Sequence, residues 1–370
     1  MREIAVLTTS RADFGIYEPV LREMAKSRLL KVRLIVSGSH LERRFGRTID
    51  EIRNAGFPIF RRVRGLRGDM AESMSQTVAG MGRLFRSWRP DLLVALGDRF
   101  EMFAGALAAV PYNIPIAHLH GGDVTVGAID DSFRHALSKF AHLHFVTTRD
   151  SAARLRRMGE EPWRITVSGA PALDRLKTFK PVEMEIPKRF LLVTFHPVTR
   201  EPGDETAQVE AVVKALDQCG IPCLITAPNA DPGNAEIRAR LERYCATHPG
   251  SRFVENLGAQ RYFTVMSRAS AMVGNSSSGM FESPSFRLPV VNIGSRQEGR
   301  LRARNVVDCP CTTTAIVAAV RRALSPRFRR SLRGLRNPYG DGQAAGLIVR
   351  VLERIPLDRR LLLKSFHDSP

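Results

Sequence analysis

Two short apolar runs, each followed by polar residues, constrain the fold of this chain more than any other feature. The runs Leu92–Leu96 and Ile114–Leu119 are rich in valine, isoleucine and leucine, and both are too short for a core helix. Such runs are typical of fully buried parallel strands. Residues 97–99 and 120–123, which follow the two runs, include acids, a histidine and an arginine. Because ligands of open α/β sheets bind beyond the carboxyl ends of the strands, we expect these polar residues to line one site.

The same alternation of strands and helices extends over the first 172 residues, which predicts a doubly wound N-terminal domain. Further strands are predicted at Glu3–Thr9, Lys31–Ser37, Ile59–Val63, Leu143–Thr148 and Ile165–Ser168. Helices are predicted at Thr48–Asn54, Met70–Trp88, Ile129–Phe140 and Arg149–Met158.

The pattern begins again after residues 173–188, a proline-containing stretch of mixed charge that we interpret as a hinge. The second set of strands is predicted at Phe190–Phe195, Pro222–Ala227, Phe253–Leu257, Ala271–Val273 and Leu288–Ile293. A C-terminal domain is therefore expected over residues 189–355, and residues 356–370 are expected to pack back on the N-terminal domain. The length of 370 residues also suits two domains of about 150 residues each. The predicted fold class is α/β, with two Rossmann-like doubly wound domains.

The formal net charge of +19 raises the question of a nucleic-acid partner. The basic residues are mostly arginines spread over the predicted helices, and no RNP-like, zinc-finger or helix-turn-helix pattern is present, so we predict no nucleic-acid partner. A positively charged crevice would instead favour a diphosphate ligand.

Three further expectations concern compartment and metals. No run of about 18 apolar residues occurs, so no membrane span is predicted. The first ten residues enter a strand without a signal-like apolar segment, which suggests a cytoplasmic protein. The five cysteines form no paired CxxC modules, which favours reduced structural thiols and no metal site.

Several polar residues have both a functional and a structural interpretation. Arg11 lies in the first strand-to-helix loop, where it could bind an anion or pair with Asp13 or Glu18. His40 follows the second strand, or is an ordinary polar surface residue. Asp130 and Arg134 are four residues apart on one helix face. A salt bridge within the helix would explain that pair, but not the Gly-Gly-Asp before it.

Residues 274–279, Gly-Asn-Ser-Ser-Ser-Gly, present hydroxyl and amide donors at a predicted helix start. Phosphate binds to such a nest without lysine, although a serine N-cap with spacer serines is the alternative. Glu282 could accept the hydroxyls of a ribose, and Arg296, past the next strand, could cover phosphates. Neither GxGxxG after the first strand nor GxxxxGK[ST] is present, so dinucleotide and P-loop chemistry are poorly supported.

Together the motifs GDRFE, HLHGGDVTVGAIDDSFRHALSK, FHPVT, PNAD, GNSSSGMFESP and GSRQ resemble the hydrolysing UDP-N-acetylglucosamine 2-epimerases. These are the bacterial enzymes of sialic-acid synthesis and the epimerase half of an animal bifunctional enzyme. The match runs in order from residue 4 to about residue 310. It implies a GT-B-type pair of domains with an interdomain cleft that binds a UDP-sugar. It also implies the conversion of UDP-N-acetylglucosamine and water to UDP and N-acetylmannosamine, without a cofactor. UDP leaves by anti elimination across C1–C2, and water then adds to a 2-acetamidoglucal.

The resemblance also assigns roles to residues. Asp98 and Asp130 match carboxylates needed for proton transfer, and His196 matches a histidine near the phosphates. The identity of the base stays open: His120 stands where non-hydrolysing relatives tend to have glutamate, and many hydrolysing members have glutamate in place of Asp123. The predicted catalytic residues are Asp98, His120, Asp123, Asp130 and His196. The predicted substrate- and nucleotide-binding residues are Arg11, His40, Arg99, Arg134, Asn229, Asp231, Ser276, Ser277, Glu282 and Arg296.

Three functions remain open from the sequence. The first is the reaction on UDP-N-acetylglucosamine. The second is the same chemistry on a nucleotide-linked 2,4-diacetamido-2,4,6-trideoxyhexose of the legionaminic-acid route. The third is a glycosyltransferase of the same fold or a non-catalytic nucleotide-sugar binder. The dense cluster of acids and histidine at positions 98–130 favours the first. The family also implies a homo-oligomer, a dimer or a tetramer.

Overall fold

The computed structural model describes residues 1–42, 48–125, 129–197, 205–228 and 233–368. The chain divides into two compact units. The N-terminal unit contains residues 1–177 together with the chain from Tyr339 onward, and the C-terminal unit contains residues 178–338.

The N-terminal unit is built on a parallel sheet of seven strands in the order β3-β2-β1-β4-β5-β6-β7. The strands are β1 (Arg2–Thr8), β2 (Leu30–Val36), β3 (Ile59–Arg62), β4 (Leu92–Leu96), β5 (Ile116–Leu119), β6 (Leu143–Val146) and β7 (Ile165–Val167). The strand order reverses between β1 and β4, which pair in parallel with Ile4 opposite Leu92. In an open α/β sheet, the carboxyl ends of the strands at such a reversal form the usual ligand site.

Helices cover the sheet of the N-terminal unit: α1 (Arg11–Lys26), α2 (Ile49–Asn54), α3 (Met70–Ser87), α4 (Phe100–Leu107), α5 (Ile129–Phe140) and α6 (Arg149–Arg157). Every residue of β4 is buried, as the uninterrupted apolar run predicts. Helix α5 begins and ends at the predicted residues.

The C-terminal unit contains a second parallel sheet, of six strands in the order β10-β9-β8-β11-β12-β13. The strands are β8 (Leu191–Thr194), β9 (Cys223–Thr226), β10 (Arg252–Val254), β11 (Ala271–Gly274), β12 (Val290–Ile293) and β13 (Val306–Cys309). The helices are α7 (Glu205–Cys219), α8 (Asn234–Thr247), α9 (Gly258–Arg268), α10 (Ser278–Phe281), α11 (Thr313–Leu324) and α12 (Pro326–Ser331). Neither α8 nor β13 was expected, because α8 is highly charged and β13 is a half-exposed edge strand.

The last helices, α13 (Ala344–Arg354) and α14 (Arg359–Leu362), belong to the N-terminal unit, so the expected domain boundary at residue 355 is wrong. Ile348, Val349 and Leu352 of α13 are buried in the core of that unit, and α13 packs on α1. Asp174 accepts the backbone N–H groups of Ala344 and Ala345 at 3.0 and 2.7 Å and so caps α13.

The expected hinge at 173–188 is also divided between the units. Residues Pro171–Lys177 form a 3₁₀ helix that packs on α1, and only the part from Thr178 lies in the C-terminal unit. Among the described residues, no helix is long and apolar enough to cross a membrane. In the same part of the chain, no three His, Cys, Asp or Glu side chains are placed to share a metal ion.

Candidate functional site

The polar residues that follow β4 and β5 lie at the edge of the N-terminal sheet where the strand order reverses. Leu96 pairs with Leu119 at the ends of these two strands, so Asp98 and His120 follow adjacent strand ends. The backbone of His120 adopts a left-handed conformation, with φ of +64°. A non-glycine residue there is strained, which is typical of a functional position.

The Asp98 carboxylate forms an ion pair with Arg134, whose side chain is almost fully buried. Arg134 also lies 3.4 Å from the carboxylate of Asp131 and 3.1 Å from the hydroxyl of Thr125. A buried guanidinium requires such compensation, because desolvation of an isolated charge is costly. Arg134 therefore joins α5 to the end of β4 and orients the carboxylate of Asp98.

Asp123 is held by neutral donors. Its Oδ1 accepts hydrogen bonds from the hydroxyls of Thr147 and Ser151 at 2.8 and 2.6 Å, and its Oδ2 lies 3.8 Å from Nδ1 of His120. The preceding Gly122 has φ of +74°, and a Cβ there would lie 2.5 Å from the carbonyl oxygen of Ser151. Glycine is thus needed for the turn that carries Asp123 from β5 towards α6.

His118 supports this site from inside the sheet. It is fully buried, with Nε2 2.8 Å from the carbonyl oxygen of Gly97 and Nδ1 3.1 Å from the hydroxyl of Ser138. Burial lowers the pKa of His118 to about 3, so the ring is neutral near pH 7. Because a carbonyl only accepts, the proton of the neutral ring is on Nε2, which donates to Gly97. His118 thereby fixes the backbone immediately before Asp98.

Arg99, the residue after Asp98, is influenced by the charge of Asp130. Its guanidinium donates to both carboxylate oxygens of the fully buried Glu101, at 2.8 and 3.2 Å. Burial lowers the pKa of Arg99, but the carboxylates of Glu101, Asp13 and Asp130 together raise it by more. The pKa of Arg99 is therefore above its ordinary value. Asp130 therefore lies within electrostatic reach of the β4 end.

The loop after β1 is organised by Asp13, a residue to which the sequence analysis gave no site role. Its carboxylate accepts the backbone N–H groups of Thr9 and Ser10, both at 2.9 Å, and hydrogen bonds from the Thr8 and Thr9 hydroxyls. His40 is fully buried, with Nε2 3.0 Å from the Thr8 hydroxyl, so it is not a surface residue. The signal for Asp13 was present: Ser10-x-x-Asp13 is a capping-box spacing.

Arg11, the first residue of α1, is exposed and pairs with Glu51 at 3.2 Å. The partners considered from the sequence, Asp13 and Glu18, are engaged elsewhere: Glu18 pairs with Arg22 and Arg175. Arg11 begins α1, but its ion pair is with a residue of α2.

In the C-terminal unit, Asn275 connects three strand ends. This fully buried side chain accepts from the backbone N–H of His196 at 2.7 Å and donates to the carbonyl of His196 at 2.9 Å. The backbone carbonyl of Asn275 accepts hydrogen bonds from the side chains of Gln297 at 2.8 Å and Arg296 at 3.3 Å. The ends of β8, β11 and β12 are thereby held together, and with them His196, the serine loop and Arg296.

The serine loop itself follows a glycine that no other residue could replace. Gly274 has φ of +136°, and a Cβ there would collide with the carbonyl of Thr194. Among the described residues, Ser277 makes no side-chain capping bond at the start of α10, but the Ser276 hydroxyl accepts the backbone N–H of Ser278 at 3.4 Å, so the capping alternative stands for Ser276. Helix α10 has only four residues, so its dipole is small. The serine hydroxyls are therefore the main hydrogen-bonding groups that this loop could offer to an anion.

Two further side chains of this region, Tyr262 and His196, are uncharged near pH 7. Burial and the nearby charge of Glu282 raise the pKa of Tyr262, and the neighbouring hydroxyls of Ser278, Thr194 and Ser276 lower it, with a net rise to about 12. Tyr262 is therefore a neutral phenol that sequence reasoning missed. Burial and the charge of Arg296 lower the pKa of His196 to about 3, so His196 is also neutral. Asn229 and Asp231 lie outside the described residues.

Comparison with known proteins places the chain in a family. The family model described as UDP-N-acetylglucosamine 2-epimerase matches residues 22–353. UDP-N,N'-diacetylbacillosamine 2-epimerase (hydrolyzing) from Legionella pneumophila is 35% identical, with 98% of this chain and 99% of the relative covered. GDP/UDP-N,N'-diacetylbacillosamine 2-epimerase (hydrolyzing) from Campylobacter jejuni is 36% identical, with coverage of 83% and 84%. UDP-N-acetylglucosamine 2-epimerase from Neisseria meningitidis is 30% identical, with 88% of each chain covered.

Solved structures agree with the fold. The crystal structure of UDP-GlcNAc 2-epimerase from Neisseria meningitidis bound to UDP-GlcNAc matches with a TM-score of 0.81 at 18% identity, covering 95% of this chain and 99% of that one. The predicted α/β fold class with two parallel sheets is thereby confirmed. The chain belongs to the UDP-N-acetylglucosamine 2-epimerase family, whose members act on UDP-sugars.

Proposed function

We propose that this protein is a hydrolysing 2-epimerase whose substrate is UDP-N,N'-diacetylbacillosamine, a 2,4-diacetamido-2,4,6-trideoxyhexose linked to UDP. The products are UDP and the free sugar with inverted configuration at C2. The observation that carries the proposal is the set of acids and histidine at the adjacent ends of β4 and β5, where Asp98 is oriented by Arg134 and Asp123 by two hydroxyls. A protein that only bound the nucleotide-sugar would not need carboxylates held in fixed orientations at these strand ends.

The chemistry requires both anion binding and proton transfer. The C2–H of the sugar is not acidic, because no carbonyl is adjacent to it, so positive charge must develop at C1 as UDP departs. The C1–O bond breaks with its electron pair going to UDP, the C2 proton goes to a base, and a C1=C2 double bond forms. Water then adds its hydroxyl to C1, and a proton returns to C2 on the opposite face.

Asp98, Asp123, His120 and Asp130 are the candidates for these proton transfers. A carboxylate placed beside C2 can remove the proton while its charge stabilises the cationic character at C1. The ion pair with Arg134 restricts the Asp98 carboxylate to one orientation, which is how an enzyme reduces the entropic part of a barrier. His120 and Asp123 share the β5 turn, so either can serve as the second group.

The leaving diphosphate is assigned to the C-terminal unit. His196, Ser276, Ser277 and Arg296 would donate to the phosphates, and Glu282 would accept the ribose hydroxyls. Neutral His196 and neutral Tyr262 suit this role, since they offer donors without introducing a negative charge near the diphosphate.

UDP-N-acetylglucosamine is the second candidate substrate. The sequence motifs alone favour it, and the Neisseria meningitidis relative whose name refers to this sugar is 30% identical. The two relatives named for diacetylbacillosamine are 35% and 36% identical, which favours the diacetamido sugar. The two substrates differ at C4 and C6, away from the bonds that react, so the same residues would serve for either.

The decisive experiment is to incubate the purified protein in heavy water with each UDP-sugar separately, without any acceptor. Released UDP is quantified by chromatography, and the free sugar is examined by NMR at C2. We expect rapid release of UDP from the diacetamido substrate, and a product with inverted C2 that carries deuterium there. Faster turnover of UDP-N-acetylglucosamine would select the second candidate. Release of UDP with only protium at C2 would rule out elimination for both.

A further inference from the structure

The C-terminal segment of residues 359–368, here called the C-terminal clasp, is attached to the N-terminal unit by buried charges. Arg164, which is 1% exposed, donates to the backbone carbonyls of Arg360, Leu361 and Leu363 at 2.9 to 3.1 Å. A buried guanidinium directed at three carbonyls of one short segment fixes the path of that segment. The side chain of Leu361 is buried in the core of the unit.

Lys364 of the C-terminal clasp contacts the end of α5. Its ammonium nitrogen lies 3.2, 2.8 and 2.7 Å from the carbonyl oxygens of Ser138, Lys139 and Ala141. The last carbonyls of a helix have no partner within the helix, and they carry the negative end of its dipole. A lysine from a distant part of the chain therefore caps α5.

Lys364 is itself held in place by Glu160, a fully buried carboxylate. Glu160 lies 2.7 Å from Nζ of both Lys364 and Lys139, and 2.9 Å from Nε2 of the buried His144. Burial raises the pKa of Glu160, but its hydrogen bonds to His144 and the two lysines lower it to about 2 overall. The carboxylate is thus ionised and fixes the position of Lys364.

Helix α5 transmits this attachment to the candidate site. At the capped end, the hydroxyl of Ser138 lies 3.0 Å from the carbonyl of Arg134 and 3.1 Å from Nδ1 of His118. His118 in turn contacts the carbonyl of Gly97, next to Asp98. One turn before Ser138, near the middle of the helix, Arg134 pairs with Asp98. Both sets of contacts from the capped end therefore lead to Asp98.

We propose that Lys364 is a positioning residue for the reaction, fixing α5 and thereby the orientation of the Arg134–Asp98 pair. This inference rests on the proposed function for its kinetic consequence. It concerns the sugar-transforming step rather than nucleotide binding, because the contacts of Lys364 lead to Asp98 and not to the serine loop.

The test compares Lys364→Met with Lys364→Arg and with Lys26→Met. The first variant keeps the apolar stem but removes all donors, and the second retains charge and donors. Lys26 is the matched control, a lysine in the last turn of α1 that is exposed and paired with Glu23.

We expect Lys364→Met to lower kcat about 10-fold, because a small displacement of a catalytic group is costly. KM and the Kd for UDP should change less than about 2-fold, since donors to the phosphates are untouched. Lys364→Arg should recover most of the loss, and Lys26→Met should behave as the unchanged protein.

Hydrogen exchange of the amides of α5 separates this inference from the proposed function, because it needs no substrate. In Lys364→Met, exchange should accelerate across residues 134–140 and stay unchanged in β1. If neither sugar is turned over, the proposed function fails, and the exchange result still decides whether Lys364 fixes α5. Unchanged kcat, or unchanged exchange in α5, would overturn the inference. An equal loss of protection throughout the unit would also overturn it, since that indicates general destabilisation. Should Lys364→Met yield no folded protein, Lys364→Gln, which keeps two N–H donors, replaces it in both measurements.

Discussion

The two units hold their candidate functional groups by different means. In the N-terminal unit, a buried charge holds Asp98, because Arg134 pairs with Asp98 and Asp131 and lies on α5, which Lys364 caps. Asp123 of the same unit is held by two hydroxyls. In the C-terminal unit, neutral hydrogen bonds do so, with Asn275 bound to the backbone of His196 at 2.7 and 2.9 Å. The strand orders of the two sheets are alike around their centres, so the difference lies in the side chains at the strand ends.

The difference matches the two halves of the proposed reaction. Proton transfer needs ionisable groups that are held in one orientation, and buried charge pairs provide such orientation. Binding of a diphosphate needs donors, and uncharged residues such as Tyr262 and His196 would provide them without adding a competing negative charge. A pair of similar sheets can therefore divide chemistry and binding between them.

The largest effect is expected for Asp98→Asn in the N-terminal unit. Loss of the carboxylate should lower kcat about 10³-fold, within the range typical of general acid–base groups, while the Kd for UDP in calorimetry stays within about 2-fold. Asp91→Asn is the control, because Asp91 is exposed and precedes the same strand, β4. If Asp98→Asn weakened UDP binding as much as turnover, the division between the units would be wrong.

A smaller effect, on binding rather than turnover, is expected for Asn275→Asp in the C-terminal unit. The carboxylate cannot donate to the carbonyl of His196, and it adds negative charge near the proposed phosphate site. We expect UDP to bind about 70-fold more weakly, roughly 2.5 kcal/mol, as for a buried group left unsatisfied. Calorimetry with UDP measures this directly. The control, Asn256→Asp, keeps the exposed side-chain oxygen that accepts from Gly258. Equal binding by the two variants would contradict the connecting role of Asn275.

The smallest effect concerns the stability of the N-terminal unit. His118 has a folded pKa of about 3, against an ordinary value of 6.5, so only the unfolded chain takes up its proton between these values. His118 should therefore lower the free energy of unfolding on acidification below pH 6.5, contributing about 1.4 kcal/mol per pH unit and roughly 2 kcal/mol by pH 5. Both tryptophans, Trp88 and Trp163, lie in this unit, so their fluorescence in urea titrations reports on it.

His118→Gln provides the comparison for that measurement, because an amide can donate to the Gly97 carbonyl but does not titrate. Its unfolding free energy should change less between pH 7 and pH 5 than that of the unsubstituted protein. Parallel pH dependences would show that His118 is not the group responsible.

Much of the fold could be predicted because burial on both faces leaves a direct mark on a strand. The run Leu92–Leu96 forms β4 with the predicted bounds, and Ile129–Phe140 forms α5 in the same way. Elements with weaker patterns were missed. Helix α8 buries Ile237, Leu241 and Tyr244 at helical spacing, but its charged residues obscure that period.

The candidate site could be predicted only in part. Asp98, His120 and Asp123 were expected together, since each follows a buried strand, and the structure places them at paired strand ends. The roles of Asp13 and Asn275 were not expected. Asp13 lies in the first turn of α1 and Asn275 in a loop. Small polar residues are also typical of ordinary helix starts and turns, and only their buried hydrogen bonds distinguish these two.

By itself, the sequence determined the class of each element, the repeated α/β pattern and the family motifs, because the periodicity of burial and short motifs are local properties. Only the tertiary structure decided which partner each element meets. The apolar face of α13 would suit either unit, and it packs on α1. In the sequence, Lys364 is indistinguishable from the many other basic residues of a chain with net charge +19. In the structure, it caps a helix more than 220 positions earlier. Local spacing records that a residue is buried or charged, but contacts across such separations arise only when the sheet brings distant segments together.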